Sequence, residues 1–278
     1  MGWLQAVLSG VIQGLTEFLP VSSSGHLVIF NALFGAGEGD LAFTVFLHLG
    51  TLLSVVIVLR KDVWMLVREF FAALWDLLRG RPDFKSPERR LLLMVVIGTV
   101  PAVLAGVLVK LLALDALLEN IFVVGAMLLV TALLMFAVDR LGKGRYTEKD
   151  APYKSALLVG CMQAAAILPG LSRSGSTIFG GIWGGLKKEL AVRFAFLLSI
   201  PAILGAALLE GYHAVKEGGL ALQPVNLLLG VAAAAVCGVL AIRFIKLLIK
   251  NNKFYIFGIY CLFASALAFL VGFGVVRF

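Results

Sequence analysis

The sequence predicts an all-α integral membrane protein with six transmembrane helices and two re-entrant helical hairpins in an inverted-topology repeat. The prediction rests on an apolar excess that no soluble globule shows, on cations gathered in alternate joints, and on short interrupted apolar segments opening each half. Of 278 residues, 61% are hydrophobic and 14% charged, with a mean hydropathy of +1.01. A soluble domain is about half apolar and about a quarter charged, so the length, which would allow one or two soluble domains, does not describe any.

Taken in order, the chain opens with apolar pieces at 3–19 and 25–34, broken at Pro20-Val-Ser-Ser-Ser. A full span follows at 43–60, then an amphipathic stretch at 63–79 in which Trp64, Val67, Phe70, Phe71 and Leu74 are interspersed with Arg68, Glu69 and Asp76. That stretch reads either as a helix lying on the cytoplasmic face or as an ordinary helix of a cytoplasmic loop. Spans at 91–113 and 121–138 complete the first half, and the broken pair recurs at 155–168 and 175–186. Three further spans occupy 194–211, 225–249 and 254–276. Each full span approaches the ~20 residues that cross a bilayer, whereas most of the broken pieces fall short. The N-terminus has no basic n-region and carries Glu17 in its apolar run, which excludes a cleavable signal peptide. Cys161, Cys237 and Cys261 lie in apolar segments without metal-ligand spacing and read as packing residues.

The net charge of +8 does not imply a nucleic-acid partner, because the cations follow topology. Joints 60–90, 140–154, 187–193 and 243–253 hold 20 of the 24 Lys and Arg residues, which places them in the cytoplasm by the positive-inside rule.

The two halves resemble one another. Gly10-Val-Ile-Gln13 recurs as Gly160-Cys-Met-Gln163, and Pro20-Val-Ser-Ser-Ser-Gly25 as Pro169-Gly-Leu-Ser-Arg-Ser-Gly175. Gly106-Val-Leu matches Gly238-Val-Leu, and Phe122-Val-Val-Gly125 matches Tyr255-Ile-Phe-Gly258, in the same order. This sets the repeats at 1–150, with hairpin 3–34, and 151–278, with hairpin 155–186, forming one membrane domain. Three crossings per repeat is an odd number, so the second repeat must be inverted. Its hairpin then enters from the cytoplasm and the first from outside, as the charge pattern also requires. Short broken segments in corresponding positions of two halves point to a binding site between them.

The hairpins carry polar residues that are costly at membrane depth: Gln13, Glu17, Ser22, Ser23, Ser24 and His26 in the first, and Gln163, Ser172, Arg173, Ser174, Ser176 and Thr177 in the second. Insertion of an ionised residue there costs ~2.5–3.5 kcal/mol or more, so Glu17 and Arg173 need a partner, water or a charged ligand. A simple ion pair locking the hairpins would meet that need. It would leave the hydroxyl-rich Gly turns unexplained, whereas an oxyanion site uses them. Half-helices beginning at each break offer free N–H groups to an anion, Gly25 and Gly175 allow close backbone approach, and a guanidinium binds two phosphate oxygens at once. His26 lies three residues after Ser23 and shares its helical face, which suits proton transfer.

At these residues the sequence resembles the bacterial undecaprenyl-diphosphate phosphatases linked to bacitracin resistance. Gln13-Gly-Leu-Thr-Glu17-Phe-Leu-Pro-Val-Ser-Ser-Ser-Gly-His26 is similar to the family's Glu/Gln-x-x-x-Glu and Pro-Val-Ser-Ser-x-Gly-His stretch. Pro169-Gly-Leu-Ser-Arg173-Ser-Gly-Ser-Thr177 is similar to its Pro-Gly-x-Ser-Arg-Ser-x-x-Thr motif. The resemblance covers essentially the whole chain. It implies hydrolysis of a polyprenyl diphosphate to the monophosphate, which recycles the lipid carrier of cell-wall synthesis. It also implies a divalent cation, Mg²⁺ or Ca²⁺, and a site opening to the outer side of the cytoplasmic membrane. The first position of the acidic pair is Gln13 here, which weakens a metal site built on two carboxylates. The type-2 phosphatidate phosphatases share a Ser-Gly-His element, but their flanking Lys–Arg-Pro and Arg–His–Asp motifs are not recognisable.

Under this resemblance Glu17, Ser23, His26 and Arg173 form the catalytic set. Arg173 clamps phosphate with Ser172, Ser174, Gly175 and Thr177, and Glu17 holds the metal. Gln13, Ser22, Ser24 and Gly25 complete the substrate cradle on the first hairpin. His26 is expected as general base for Ser23 as nucleophile, with water or His26 itself as the open alternatives. A transporter or flippase for a phosphorylated lipid or small anion is the competing reading, since inverted repeats with broken helices are a common transporter design. The oligomeric state is left open, a dimer included.

Overall fold

A computed structural model describes residues 2–34, 41–80, 86–112, 120–142, 144–216, 223–249 and 253–276. Two cation-poor joints alternate with the cation-rich ones and are therefore expected outside the membrane; of these, 36–40 and 217–219 lie beyond the described residues. The described chain is helical, and its one β-type contact is an isolated bridge between Tyr146 and Leu186. The helices are α1 (Trp3–Phe18), α2 (Ser23–Phe34), α3 (Leu41–Val58), α4 (Arg60–Leu78), α5 (Pro87–Leu111) and α6 (Ile121–Arg140). The second half adds α7 (Tyr153–Ala165), α8 (Arg173–Trp183), α9 (Lys188–Lys216), α10 (Pro224–Ile249) and α11 (Tyr255–Gly272).

Five helices, α5, α6, α9, α10 and α11, are long and apolar enough to cross a membrane, and α3 joined to α4 supplies a sixth candidate. The chain is thus a multi-pass membrane protein. Helices α1, α2, α7 and α8 have 16, 12, 13 and 11 residues, all below the ~20 of a full crossing. Helices α5 and α9 begin four to six residues earlier than the apolar runs suggest, because charged first turns are helical too. Pro87 and Pro224 start their helices, where a missing N–H costs nothing. Glu88 and Glu189 sit in first turns, where the helix dipole favours them.

Helix α4 leaves α3 at 93° and is the amphipathic helix expected at 63–79, begun three residues earlier. Its acidic residues, spaced by seven, face inward. Glu69 and Asp76 accept from Arg89 of α5 at 3.1 and 2.9 Å, and Asp62 accepts from Arg193 of α9 at 2.6 Å. The same guanidinium reaches Glu148 at 2.5 Å in the joint between the halves. The opposite side presents Trp64, Phe71 and Leu78, each at least 63% exposed.

Packing between helices is close where glycines meet backbone. A Cβ at Gly10 of α1 would lie 2.2 Å from the Gly230 oxygen of α10, and one at Gly160 of α7 would lie 2.5 Å from the Gly98 oxygen of α5. Gly125 of α6 packs on Phe269 of α11, and Gly258 of α11 on Phe136 of α6. The main core surrounds Phe18, Met94, Met135, Phe194 and Phe196, with Phe18 edge-on to Phe196 at 5.6 Å.

Candidate active site

The two hairpin tips meet. Chain reversal in the first is made by Ser22, whose φ is +73°. That is a left-handed conformation a non-glycine residue seldom adopts, and its occurrence marks a functional candidate. In the second tip Gly170 takes the positive φ, +90°, close under the Val124 oxygen. Contacts between tips are reciprocal: a Cβ at Gly25 would lie 3.1 Å from Gly170 Cα, and one at Gly175 would lie 3.3 Å from Pro20 Cβ. The glycines expected to permit close approach are therefore where chain meets chain.

Each tip starts its half-helix in the same way. Ser22 Oγ accepts from Gly25 N at 3.3 Å and sits 3.3 Å from Ser24 Oγ. Ser172 Oγ accepts from Gly175 N at 3.1 Å and sits 3.2 Å from Ser174 Oγ. These serines are N-caps, which satisfy a donor left free at the helix start. Ser174 also donates across the junction to the Leu19 carbonyl at 3.0 Å, and Thr177 turns its hydroxyl to the carbonyls of Arg173 and Ser174.

Glu17 is the hub. Its Oε1 accepts from Arg173 Nη2, closing an ion pair between the hairpins. Its Oε2 accepts from Gln13 Nε2 at 2.9 Å and from Ser23 Oγ at 2.7 Å. Glu17 and Gln13 are buried on the last turns of α1. Four residues of helix bring them to one face, and Ser23, first in α2, returns toward them. The expected quartet thus assembles three members directly: Glu17, Ser23 and Arg173. The fourth is placed otherwise. His26 does not bond Ser23. Its Nδ1 donates to the Ser22 carbonyl at 2.7 Å, and its Nε2 lies 2.7 Å from Tyr260 Oη, with the two rings stacked at 5.5 Å. Because a carbonyl can only accept, Nδ1 carries the proton and a neutral ring offers Nε2 as acceptor to the tyrosine hydroxyl.

Among the described residues, several buried polar atoms of the two hairpins have no partner: Arg173 Nη1, Gln13 Oε1, Ser176 Oγ and both amide atoms of Gln163. Buried polar groups are nearly always paired, so such atoms are where a ligand or water belongs. Arg173 spends one arm of its fork on Glu17 and keeps the other free. The oxygen donors for a hard cation are the Glu17 carboxylate and the orphaned Gln13 Oε1. Mg²⁺ and Ca²⁺ bind such oxygens, Mg²⁺ through as few as one or two carboxylates plus substrate phosphate, so the residues fit the implied cation.

Two contributors were not singled out from sequence as site residues. Tyr260 holds His26, and Thr131 of α6 braces the second tip, donating to Gly170 O at 2.9 Å and accepting from Ser172 N at 2.9 Å. It bonds backbone, and that backbone is the tip.

A family model described as bacitracin resistance protein BacA matches residues 6–267. The chain is 40% identical to a protein of Methanosphaera stadtmanae named undecaprenyl-diphosphatase, over 93% of this chain and 94% of the relative. A protein of the same name from Alkaliphilus metalliredigens is 40% identical, covering 94% and 95%. Another from Corynebacterium glutamicum is 35% identical, covering 98% and 91%.

Proposed function

The chain belongs to the family of the bacitracin resistance protein BacA, and from that membership we infer that it hydrolyses undecaprenyl diphosphate to undecaprenyl phosphate and inorganic phosphate. Hydrolysis returns the carrier lipid to cell-wall synthesis and confers the bacitracin resistance for which the family is described. The observation that carries the reading is the free arm of Arg173, a buried cationic donor beside a serine already hydrogen-bonded to a carboxylate.

The terminal phosphoryl group docks between the tips, with Arg173 Nη1 meeting its oxygens. Ser23 Oγ attacks the terminal phosphorus. The anhydride P–O bond breaks, the polyprenyl monophosphate leaves as a stable anion, and the Ser23 proton passes to Glu17, to which it is already donated. Water then attacks the phosphoserine, its P–Oγ bond breaks, Glu17 returns the proton to Ser23 Oγ, and phosphate is released. His26 accepts the water proton once Tyr260 yields its Nε2, which retains the general-base role on the second step. Glu17 and Gln13 Oε1 would hold the divalent cation, whose chemistry is to offset the negative charge of the diphosphate.

We further propose six crossings and two re-entrant hairpins, divided as repeats 1–150 and 151–278 of opposite topology. Support comes from exchanged contacts: Gly10 with Gly230 mirrors Gly160 with Gly98, and Gly125 with Phe269 mirrors Gly258 with Phe136. A twofold relation generates such pairs, since residue i meets j wherever j meets i. The cation-rich joints then face the cytoplasm, and the site opens to the outer side of the cytoplasmic membrane.

Purified protein in detergent, supplied with Mg²⁺ or Ca²⁺, should release phosphate from a long-chain polyprenyl diphosphate and stop on chelation. A transporter needs a second compartment and would show no turnover there. Failure to exceed a boiled control with either metal removes the hydrolase reading.

A further inference from the structure

A second cavity lies at the base of the second hairpin. It encloses about 630 Å³ between the joint that follows α6, the start of α7 and the end of α8. Arg173 opens α8 and Trp183 closes it, so ~15 Å of helix separates this cavity from the catalytic tips. The phosphoryl chemistry makes no use of it.

Its walls are built. The backbone N–H groups of Arg145 and Tyr146 both donate to the Gly185 carbonyl at 2.9 Å, and Lys187 N returns a bond to the Tyr146 carbonyl at 2.9 Å. Ser155 Oγ donates to Gly184 O at 2.7 Å. Gly185, at φ +85°, lets the Tyr146 ring approach to 3.0 Å from where a Cβ would sit. The joint is thereby fastened to the hairpin base and cannot fall into the space.

Among the described residues, the charged groups lining the cavity are Arg145 and Lys154, with no carboxylate beside them. The nearby acids of the joint are engaged elsewhere, Glu148 with Arg193 and Asp150 with Thr147. Helix α7 begins here behind Pro152, with no side chain capping it, so its dipole adds to the positive potential. The remaining lining includes Leu141, Leu158 and Trp183. Trp183 is 58% exposed, and a tryptophan on the outside of a membrane protein marks headgroup depth.

We propose that this cavity binds the phosphate of an anionic phospholipid headgroup, held between Arg145 and Lys154 while the acyl chains run along Leu158 and Trp183. Phosphate chemistry follows from two cations and a free helix start. A lipid source follows from the exposed apolar wall, which a soluble phosphate would leave unused. The proposal is independent of the hydrolase reading.

Trp183 supplies the probe. With Trp3, Trp64 and Trp75 replaced by Phe, it is the sole survivor of the four tryptophans. The full chain is placed in phosphatidylcholine vesicles, and Trp183 quenching by brominated phosphatidylglycerol is compared with quenching by brominated phosphatidylcholine. A basic residue near the surface contributes about fivefold in affinity for anionic lipid, so two predict a preference of roughly 25-fold for phosphatidylglycerol. R145Q/K154Q should abolish the preference while substrate hydrolysis stays within about twofold, as for other substitutions away from a site. If the double variant loses its fold, K154Q alone should lower the preference by about fivefold. Equal quenching by the two lipids overturns the proposal. So does full relief of phosphatidylglycerol quenching by low-millimolar inorganic phosphate, which would assign the cavity to the soluble anion.

Discussion

Arg173→Lys separates charge from geometry at the junction of the hairpins. The native guanidinium serves two masters: Nη2 holds Glu17, and Nη1, without a partner among the described residues, is left for the substrate. A lysine keeps the ion pair with one compact ammonium but cannot reproduce a planar fork addressing carboxylate and phosphate together. Stability should therefore survive, whereas Arg173→Ala would strand a buried carboxylate at a cost of ~3–5 kcal/mol. Turnover should not survive. Loss of one donor to the transition state removes ~10²–10³-fold, about 2.7–4 kcal/mol of barrier lowering. The assay is phosphate release from polyprenyl diphosphate at saturating substrate and metal, run beside thermal unfolding in the same detergent. A fall of at least ~100-fold in kcat with little change in unfolding temperature is the expected pair of results. Retention of more than about a third of wild-type kcat, under 1 kcal/mol, would show that Nη1 is not a phosphate ligand and refute the reasoning.

Ser23→Ala should be nearly inactive yet still bind substrate, and any trapped phosphoprotein should vanish with it. More than about a tenth of native turnover would be far too much for a lost nucleophile and would shift attack to water or His26. His26→Ala should lower steady-state turnover ~10²–10⁴-fold while a single-turnover burst of polyprenyl monophosphate persists; a burst lost in proportion would place His26 in the first step. In a cysteine-free background, single cysteines at 36–40 and 214–219 should label from outside with an impermeant reagent, and those at 145–150 should not. External labelling at 147 would overturn the inverted topology.

The long apolar helices were legible because hydropathy over about 20 residues is a strong signal, and the breaks between the short helices because Pro, Gly and Ser interrupt apolar runs at matching places. The pairing of Glu17 with Arg173 was only one of the ways to tolerate these charges that the sequence offered, beside water or a charged ligand, and the hydroxyl-rich turns argued for the ligand. Helix starts were misjudged at Pro87 and Lys188 because hydropathy stops at a charge and a helix does not. The contact of His26 was not readable: sharing a face with Ser23 fixes neighbourhood, while the ring's torsion decides its partner. Tyr260 was hidden for a different reason. It lies in an aromatic-rich apolar helix, 234 residues away in the chain, where nothing distinguishes a tyrosine that holds a histidine from one that packs. The inward face of α4 could have been found, because Asp62, Glu69 and Asp76 recur at seven-residue spacing, about two helical turns.

The distance along the chain between Glu17 and Arg173, 156 residues, bears on how the protein is made. At synthesis rates of ~5–20 residues per second, the carboxylate leaves the ribosome roughly 8–30 s before its counterion. Asp62 likewise precedes Arg193 by 131 residues. The first half of the chain thus emerges with Glu17 not yet neutralised, and its insertion cost of ~2.5–3.5 kcal/mol falls due then. The opening hairpin has reason to wait at the aqueous boundary until α8 is synthesised, so that membrane integration of the earliest segment is completed among the latest events of biogenesis.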